Sequence, residues 1–188
     1  GNRVGSNQTE YSESHVRRVR LVRALIETGG LSIAASRNVL IVMDANLESP
    51  AYFLEAAQHA LDGGSARNQQ PGSENSRQRI IALFGPGAKI SLDNPGIESA
   101  ARALDGFLTI GFEPSTEFLE AYLTAASSIA HVDLESLMTQ RTPESIAELM
   151  VVGTVMGDVL AAGLRRLAHE VEASAVFPTV EPQENEGE

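Results

Sequence analysis

Two adjacent glycines, Gly29 and Gly30, divide the most informative stretch of this chain, residues 11–43, into two short helices. Apolar residues recur at helical spacing before the pair, and either Ser12 or Ser14 can cap the first helix by accepting a hydrogen bond from its open first turn. Glycine ends a helix readily because it adopts the left-handed backbone without steric cost. The stretch therefore predicts a compact unit of two helices joined by a tight turn.

Each of these helices carries an apolar face that we expect to point inward, and Ser32 is the predicted cap of the second. The predicted inward residues are Val16, Val19, Val22, Leu25 and Ile26 in the first helix, and Ile33, Val39, Leu40 and Met43 in the second. Arg17 and Arg20 lie off the first face. Arg18 and Arg23 fall within its span, so their stems should pack while their charged ends reach water. A cationic helix of this kind suits a surface that rests against phosphates.

Charge is distributed unevenly along the 188 residues, whose net charge is −11. Residues 1–43 carry six arginines and three glutamates, a net charge of +3, whereas the rest of the chain carries −14. A basic head on an acidic body is what a DNA-contacting protein of this composition should show, since the acidic part discourages other modes of DNA binding. On charge alone, the alternative interpretation is that these arginines form an ordinary solvated helix face.

The order of residues in this region resembles the MerR family of bacterial transcription regulators. The matching pattern is Asn7-Gln8 and Tyr11, then the basic run HVRRVRLVRAL over 15–25, then GGLSIAA over 29–35. It is most similar to actinobacterial-type members with a large, all-helical C-terminal half. The resemblance implies an all-α protein with a partial winged-helix head, made of the wing and the following two helices, and a C-terminal bundle of about five helices. It also implies that the first helix-turn-helix element lies upstream of Gly1.

By the same resemblance, the chain is a cytoplasmic, homodimeric regulator that binds double-stranded promoter DNA, acts on RNA polymerase indirectly and responds to a possible small-molecule effector. Tyr11 fits a phosphate contact and a core plug equally well, and both roles are compatible. The residues that the resemblance assigns to DNA are Arg3, Asn7, Tyr11, Arg17, Arg18 and Arg20. The alternative function is a helical small-molecule sensor or protein-interaction module without DNA binding in this chain.

Composition and the start and stop signals of helices divide the chain further. The predicted units are the head over 1–48, a connecting or dimerisation helix over 49–62, a flexible linker over 63–76, an all-helical effector or dimerisation domain over 77–177, and a disordered acidic tail over 178–188. Helices are expected over 77–84, 95–110, about 115–140 and about 142–175, with Asn94 or Asp93, Ser115 and Thr142 as caps.

The last helix contains three glycines, Gly153, Gly157 and Gly163, each of which costs about 1 kcal/mol relative to alanine inside a helix. Small residues allow two helices to approach closely, so this face is expected to meet another helix. A ligand pocket in the helical body is a further hypothesis, and simple core packing is the alternative for each of its residues. The predicted lining residues are Tyr122, Met138, Met150 and Met156.

Several kinds of chemistry have no support in the sequence. The chain has no cysteine, and its four histidines are scattered without ligand spacing, so no metal site is expected. No nucleophile elbow or phosphate-binding loop is found, so no cofactor and no catalytic residue are predicted. We expect no membrane segment, because no apolar run approaches the roughly 20 residues that a spanning helix needs.

Overall fold

The structure, a computed structural model, describes residues 2–3, 9–10, 13–45, 56–60 and 70–177. Several predictions therefore lie outside the described residues: those on Asn7, Tyr11 and Ser12, residues 49–55 and 61–62 of the connecting helix, residues 63–69 of the linker and the tail 178–188. For Arg3 only the backbone is described.

The head begins with two short antiparallel strands, β1 (Asn2–Arg3) and β2 (Thr9–Glu10), in which Arg3 lies opposite Thr9. Helix α1 (Glu13–Arg23) follows and continues into one π-helical turn, Ala24–Thr28. Gly30 has a φ of +68° and turns the chain into α2 (Ile33–Asp44). Ser32 caps α2 as predicted, since its hydroxyl accepts a hydrogen bond of 3.1 Å from the N–H of Ala35.

The regular elements of the described part of the body are all helices. Residues 56–60 are helical. They are followed by α3 (Glu74–Ala82), α4 (Pro95–Thr109), α5 (Thr116–Met138) and α6 (Pro143–Val176). The predicted all-α class is thereby confirmed, and the predicted caps Asn94, Ser115 and Thr142 begin α4, α5 and α6.

Helix α3 begins inside the segment predicted to be a flexible linker. Ser73 caps it and is itself held by Asp105 on α4, whose carboxylate accepts 2.7 Å hydrogen bonds from both the N–H and the hydroxyl of Ser73. The Ser76 hydroxyl donates to the same carboxylate at 2.5 Å. The prediction is therefore wrong for residues 73–76, because a partner 29 residues and more along the chain supplies the order that the local composition lacks.

One core joins the head to the last helix. Leu21, Leu25 and Val39 of the head pack with Ala57 and Ala60 and with the first half of α6. The α6 members of this core are Met150, Val151 and Val155. The head therefore buries its apolar residues against a helix that lies more than 100 residues later in the chain.

The face of α1 that meets this core differs from the predicted one. Leu21 and Leu25 are buried, whereas Val16 and Val19 are exposed. In α2, Val39 is buried as expected, but Ile33 is 79% exposed and its place is taken by small residues. The predicted faces are wrong at these positions because α6, and not the local sequence, determines which side of each head helix is covered.

Helices α3 and α4 form a second packed pair. Ile97, Ala101 and Leu104 of α4 are buried, while Phe107 and Leu108 are exposed. The last turn of α4 instead contributes Phe107 to an aromatic cluster with Phe112 and Phe118, whose ring centroids lie 5.5 to 6.2 Å apart. Geometry of this kind links α4 to the start of α5.

Helices α5 and α6 run side by side but bury little of their surface. No residue of α5 is fully buried, although Leu137 near its C-terminal end packs partly buried against the shared core. Ser145–Val176 is long and apolar enough, by length and composition, to cross a membrane, although only 17% of its most apolar window is buried. The expectation that no such apolar segment exists is therefore wrong.

Candidate nucleic-acid interface

The strand pair β1/β2 precedes the basic helix α1 in the head. Helix α1 begins three residues after Glu10, the last residue of β2. Four arginines follow within two turns: Arg17, Arg18, Arg20 and Arg23. The structure pairs three of them with carboxylates, and these partners decide what each arginine is free to do.

Arg18 is held by Asp44 at the end of α2. Its two terminal nitrogens donate to the two carboxylate oxygens, at 2.8 and 2.5 Å. This two-pronged arrangement is the most specific geometry that arginine offers a carboxylate. Arg18 therefore joins the two helices of the head, and its guanidinium reaches an outside anion only by sharing or releasing Asp44.

Arg17 forms an ion pair with Glu148, in the first turns of α6. Glu148 is mostly buried, whereas nearly two thirds of the Arg17 side chain is exposed. The cation thus lies at the surface, anchored to an acid that belongs to the body. This pair is a direct electrostatic link between the basic helix and the C-terminal half.

The remaining two arginines differ from each other. Arg23 pairs with Glu27 one turn later, at 3.1 Å, and both side chains are exposed. Among the side chains that the structure describes, Arg20 has no carboxylate partner, and it is exposed. Arg20 is consequently the α1 cation that is most available to an external anion.

A groove of about 760 Å³ lies between α1, the end of α2 and the start of α6. Arg17 and Arg18 line it together with Asp44 and Glu148. Because Arg17 and Arg18 already pair with Glu148 and Asp44, an external anion that binds here would have to replace one of these carboxylates. Sequence reasoning identified the arginines but missed both acids, since nothing local marks Asp44, 26 residues after Arg18, or Glu148, more than 100 residues after Arg17, as a partner.

The four residues predicted to line a ligand pocket do not come together. Met150 is buried in the shared core and Met156 packs against it. Tyr122 lies half-exposed on α5, where its hydroxyl accepts a 2.6 Å hydrogen bond from Arg165, and Met138 is 86% exposed.

A different cavity separates α5 from α6. It is a groove of about 440 Å³ whose lining includes Ile129, Leu134, Met150, Gly153 and Gly157. A Cβ added to either glycine would meet nothing within 4 Å, so the two helices leave space here. Only Met150 of the four predicted residues contributes to this groove.

Two carboxyl groups lie near this groove. Asp158 lines it and also a neighbouring groove beside the start of α4. Burial of the Asp158 carboxyl group away from water raises its pKa, and repulsion from Asp133 raises it further by a smaller amount. Within the described ranges there is no group of three or more histidine or acidic residues that could hold a metal ion.

Comparison with known proteins places the head. Residues 2–41 match the family model described as MerR HTH family regulatory protein. The matched residues comprise the strand pair, α1, the π-helical turn and most of α2. The match covers the head alone, and comparisons with characterised proteins and with solved structures give no match.

Proposed function

We propose that this protein is a MerR-type transcription regulator that acts as a homodimer on promoter DNA. The single observation that carries the proposal is the coincidence of the family match over 2–41 with an exposed basic helix. The strand pair would be the wing, and MerR-type regulatory units are not enzymes. A cytoplasmic location and an indirect effect on RNA polymerase follow from this function.

Arg17, Arg18 and Arg20 have different roles in this proposal. Arg20, which has no described carboxylate partner, contacts a phosphate directly, whereas Arg17 does so by leaving Glu148. Arg18 supports both by fixing α1 on α2 through Asp44. Arg3, Asn7 and Tyr11 complete the contact from the wing. Such contacts position a protein on DNA and carry no sequence information by themselves.

Fluorescence anisotropy of DNA from upstream of the gene tests the proposal at two salt concentrations. The substitution Arg20→Gln should weaken binding to all sequences alike and lower the slope of log K against log salt by about 1, because one phosphate contact is lost. Arg102→Gln on α4 is the matched control, since it removes the same charge from the body. Equal affinity of both variants and the wild type would contradict the assignment of Arg20.

The groove between α5 and α6 favours a second function, binding of an apolar small molecule. Its size lies within the range of ordinary ligand pockets, and aliphatic side chains and two glycines line it. Gly157→Leu should fill this space and abolish any rise in melting temperature that a ligand causes. Ligand binding that survives this substitution would place the effector site elsewhere.

A further inference from the structure

A row of aliphatic side chains on α6 is uncovered beyond the point where the helix leaves the core. Leu160, Leu164, Leu167 and Val171 are 62%, 56%, 61% and 67% exposed. Four large apolar residues in one row are a larger uncovered surface than scattered single residues, and such surfaces mark contacts with another molecule.

The spacing of the row indicates what covers it. The intervals alternate between four and three residues, and the same alternation extends back through Gly157 and Gly153 to Met150. A straight helix of 3.6 residues per turn does not keep a repeat of 3.5 on one face, and helices with this repeat wind around a partner helix. The row therefore has the pattern of one half of a coiled coil.

The residues that flank the row are small and mostly uncharged. Ala161, Gly163 and Ala168 occupy flanking positions, and a Cβ added to Gly163 would meet nothing within 4 Å in the single chain. Glu170 is the charged residue among the flanking positions from 161 to 170. Two identical faces of this kind approach closely without bringing rows of like charge together, which a face bordered by lysines or glutamates would not allow.

We propose that this row is the contact between two copies of the chain, with α6 of one copy packed against α6 of the other. The proposal rests on the homodimer in the proposed function but not on DNA binding. Residues 157–177 extend over roughly 30 Å, and α5 beside α6 makes the face roughly 20 Å wide. A face of roughly 600 Å² per copy reaches the lower end of specific interfaces, which bury about 1,200 Å² in total.

A lipid surface is the competing occupant, because α6 is long and apolar enough to enter a membrane. The C-terminal half of α6, which extends beyond the core, argues against a lipid surface. Arg165, Arg166, His169 and Glu172 lie between the members of the row or just after it, on the other faces of α6. A helix that is apolar on one seam and charged elsewhere meets a protein partner on that seam, whereas a spanning helix is apolar all round.

Sedimentation equilibrium of the full chain tests the proposal. The wild type should be a dimer, and Leu164→Glu should weaken dimerisation at least roughly 100-fold, because each dimer would bury two carboxylates. His169→Glu places the same charge on the opposite side of the same helix and should leave the dimer intact. Circular dichroism of each variant verifies that the helices remain folded.

A second measurement does not depend on a destabilising substitution. The chain has no cysteine, so Leu164→Cys introduces a single thiol in the row and His169→Cys introduces one away from it. A short bis-maleimide should join two copies of the first variant and not of the second. A dimer that Leu164→Glu leaves unchanged, a wild-type monomer at the highest soluble concentration, or vesicle binding that Leu164→Glu abolishes would each overturn the proposal.

DNA titration of the same samples separates this inference from the proposed function. A dimer that is disrupted by Leu164→Glu but binds no DNA supports the contact between copies and contradicts the regulator. A chain that binds DNA and stays dimeric with Leu164→Glu supports the regulator and places its dimer contact elsewhere.

Discussion

Gly29, at the end of the basic helix, lies directly against Val155 of α6. A Cβ on Gly29 would overlap Cγ1 of Val155 and come within 3.2 Å of Cε of Met156. The absence of a side chain at Gly29 is thus what lets the turn of the head rest on the body.

The substitution Gly29→Ala should lower the free energy of unfolding by about 1–3 kcal/mol, the usual cost of overpacking a filled site. Val155→Ala should recover part of this loss, since it removes the overlapping methyl group. Gly30→Ala is the control. It also costs stability, because Gly30 has a φ of +68°, but open space surrounds it, so Val155→Ala should not reduce that cost. Urea denaturation of the two double-mutant cycles measures both couplings, and equal couplings would contradict the contact.

Glu148 competes with DNA for Arg17 in the proposed regulator. Glu148→Gln should therefore raise DNA affinity at low salt by up to about fivefold, the value of an ion pair of at most about 1 kcal/mol. Glu172→Gln changes the same charge on the free half of α6 and should have a smaller effect. Anisotropy titrations compare the two variants, and equal affinity changes would show that net charge alone is responsible.

Asp105 makes the α3–α4 pair sensitive to acid. Hydrogen bonds from Ser76 and Ser73 lower the pKa of Asp105 below its usual value of 3.8. A lowered pKa in the folded state means that the charged form contributes stability above the unfolded value, and that this contribution is lost as pH falls through the folded pKa. Asp105→Asn should therefore melt at a lower temperature than the wild type at pH 7, and the difference should shrink below pH 3.8. A difference that is constant over this interval would contradict the role of the carboxylate.

The pH dependence of stability expected from Asp158 is opposite to that from Asp105. Because burial and Asp133 raise its pKa above 3.8, the folded chain binds this proton more tightly than the unfolded chain does. Stability then decreases as pH rises through the interval from 3.8 to the raised pKa, and the loss is complete above it. Asp158→Asn should raise the melting temperature at pH 7 and leave it nearly unchanged at pH 3. Asp133→Asn should give part of the same gain, and differential scanning fluorimetry across this pH range compares the two.

The starts of α2, α4, α5 and α6 were predictable from the sequence, but the buried faces of the two head helices were predicted only in part. The side chains of Ser32, Ser115 and Thr142 each accept a hydrogen bond from the N–H three residues later. The local sequence is therefore enough to predict their capping role. Leu25 and Val19 are both apolar residues of the same helix, and only the position of Val155 decides that Leu25 is the buried one. The acids that hold Arg17 and Arg18 escaped prediction for the same reason, since Glu148 and Asp44 are brought to them by the fold.

The core shared by Leu25 and Val155 has a consequence for synthesis of the chain. A ribosome delivers the N-terminus first, so the basic helix leaves the exit tunnel more than 100 residues before the helix that covers it. Until residue 155 has emerged, Leu21 and Leu25 have no partner on α6, and the turn at Gly29 has nothing to rest on. The head of a nascent chain is therefore without its packing partner until α6 has been synthesised, and a chain terminated before α6 lacks the residues against which its head packs.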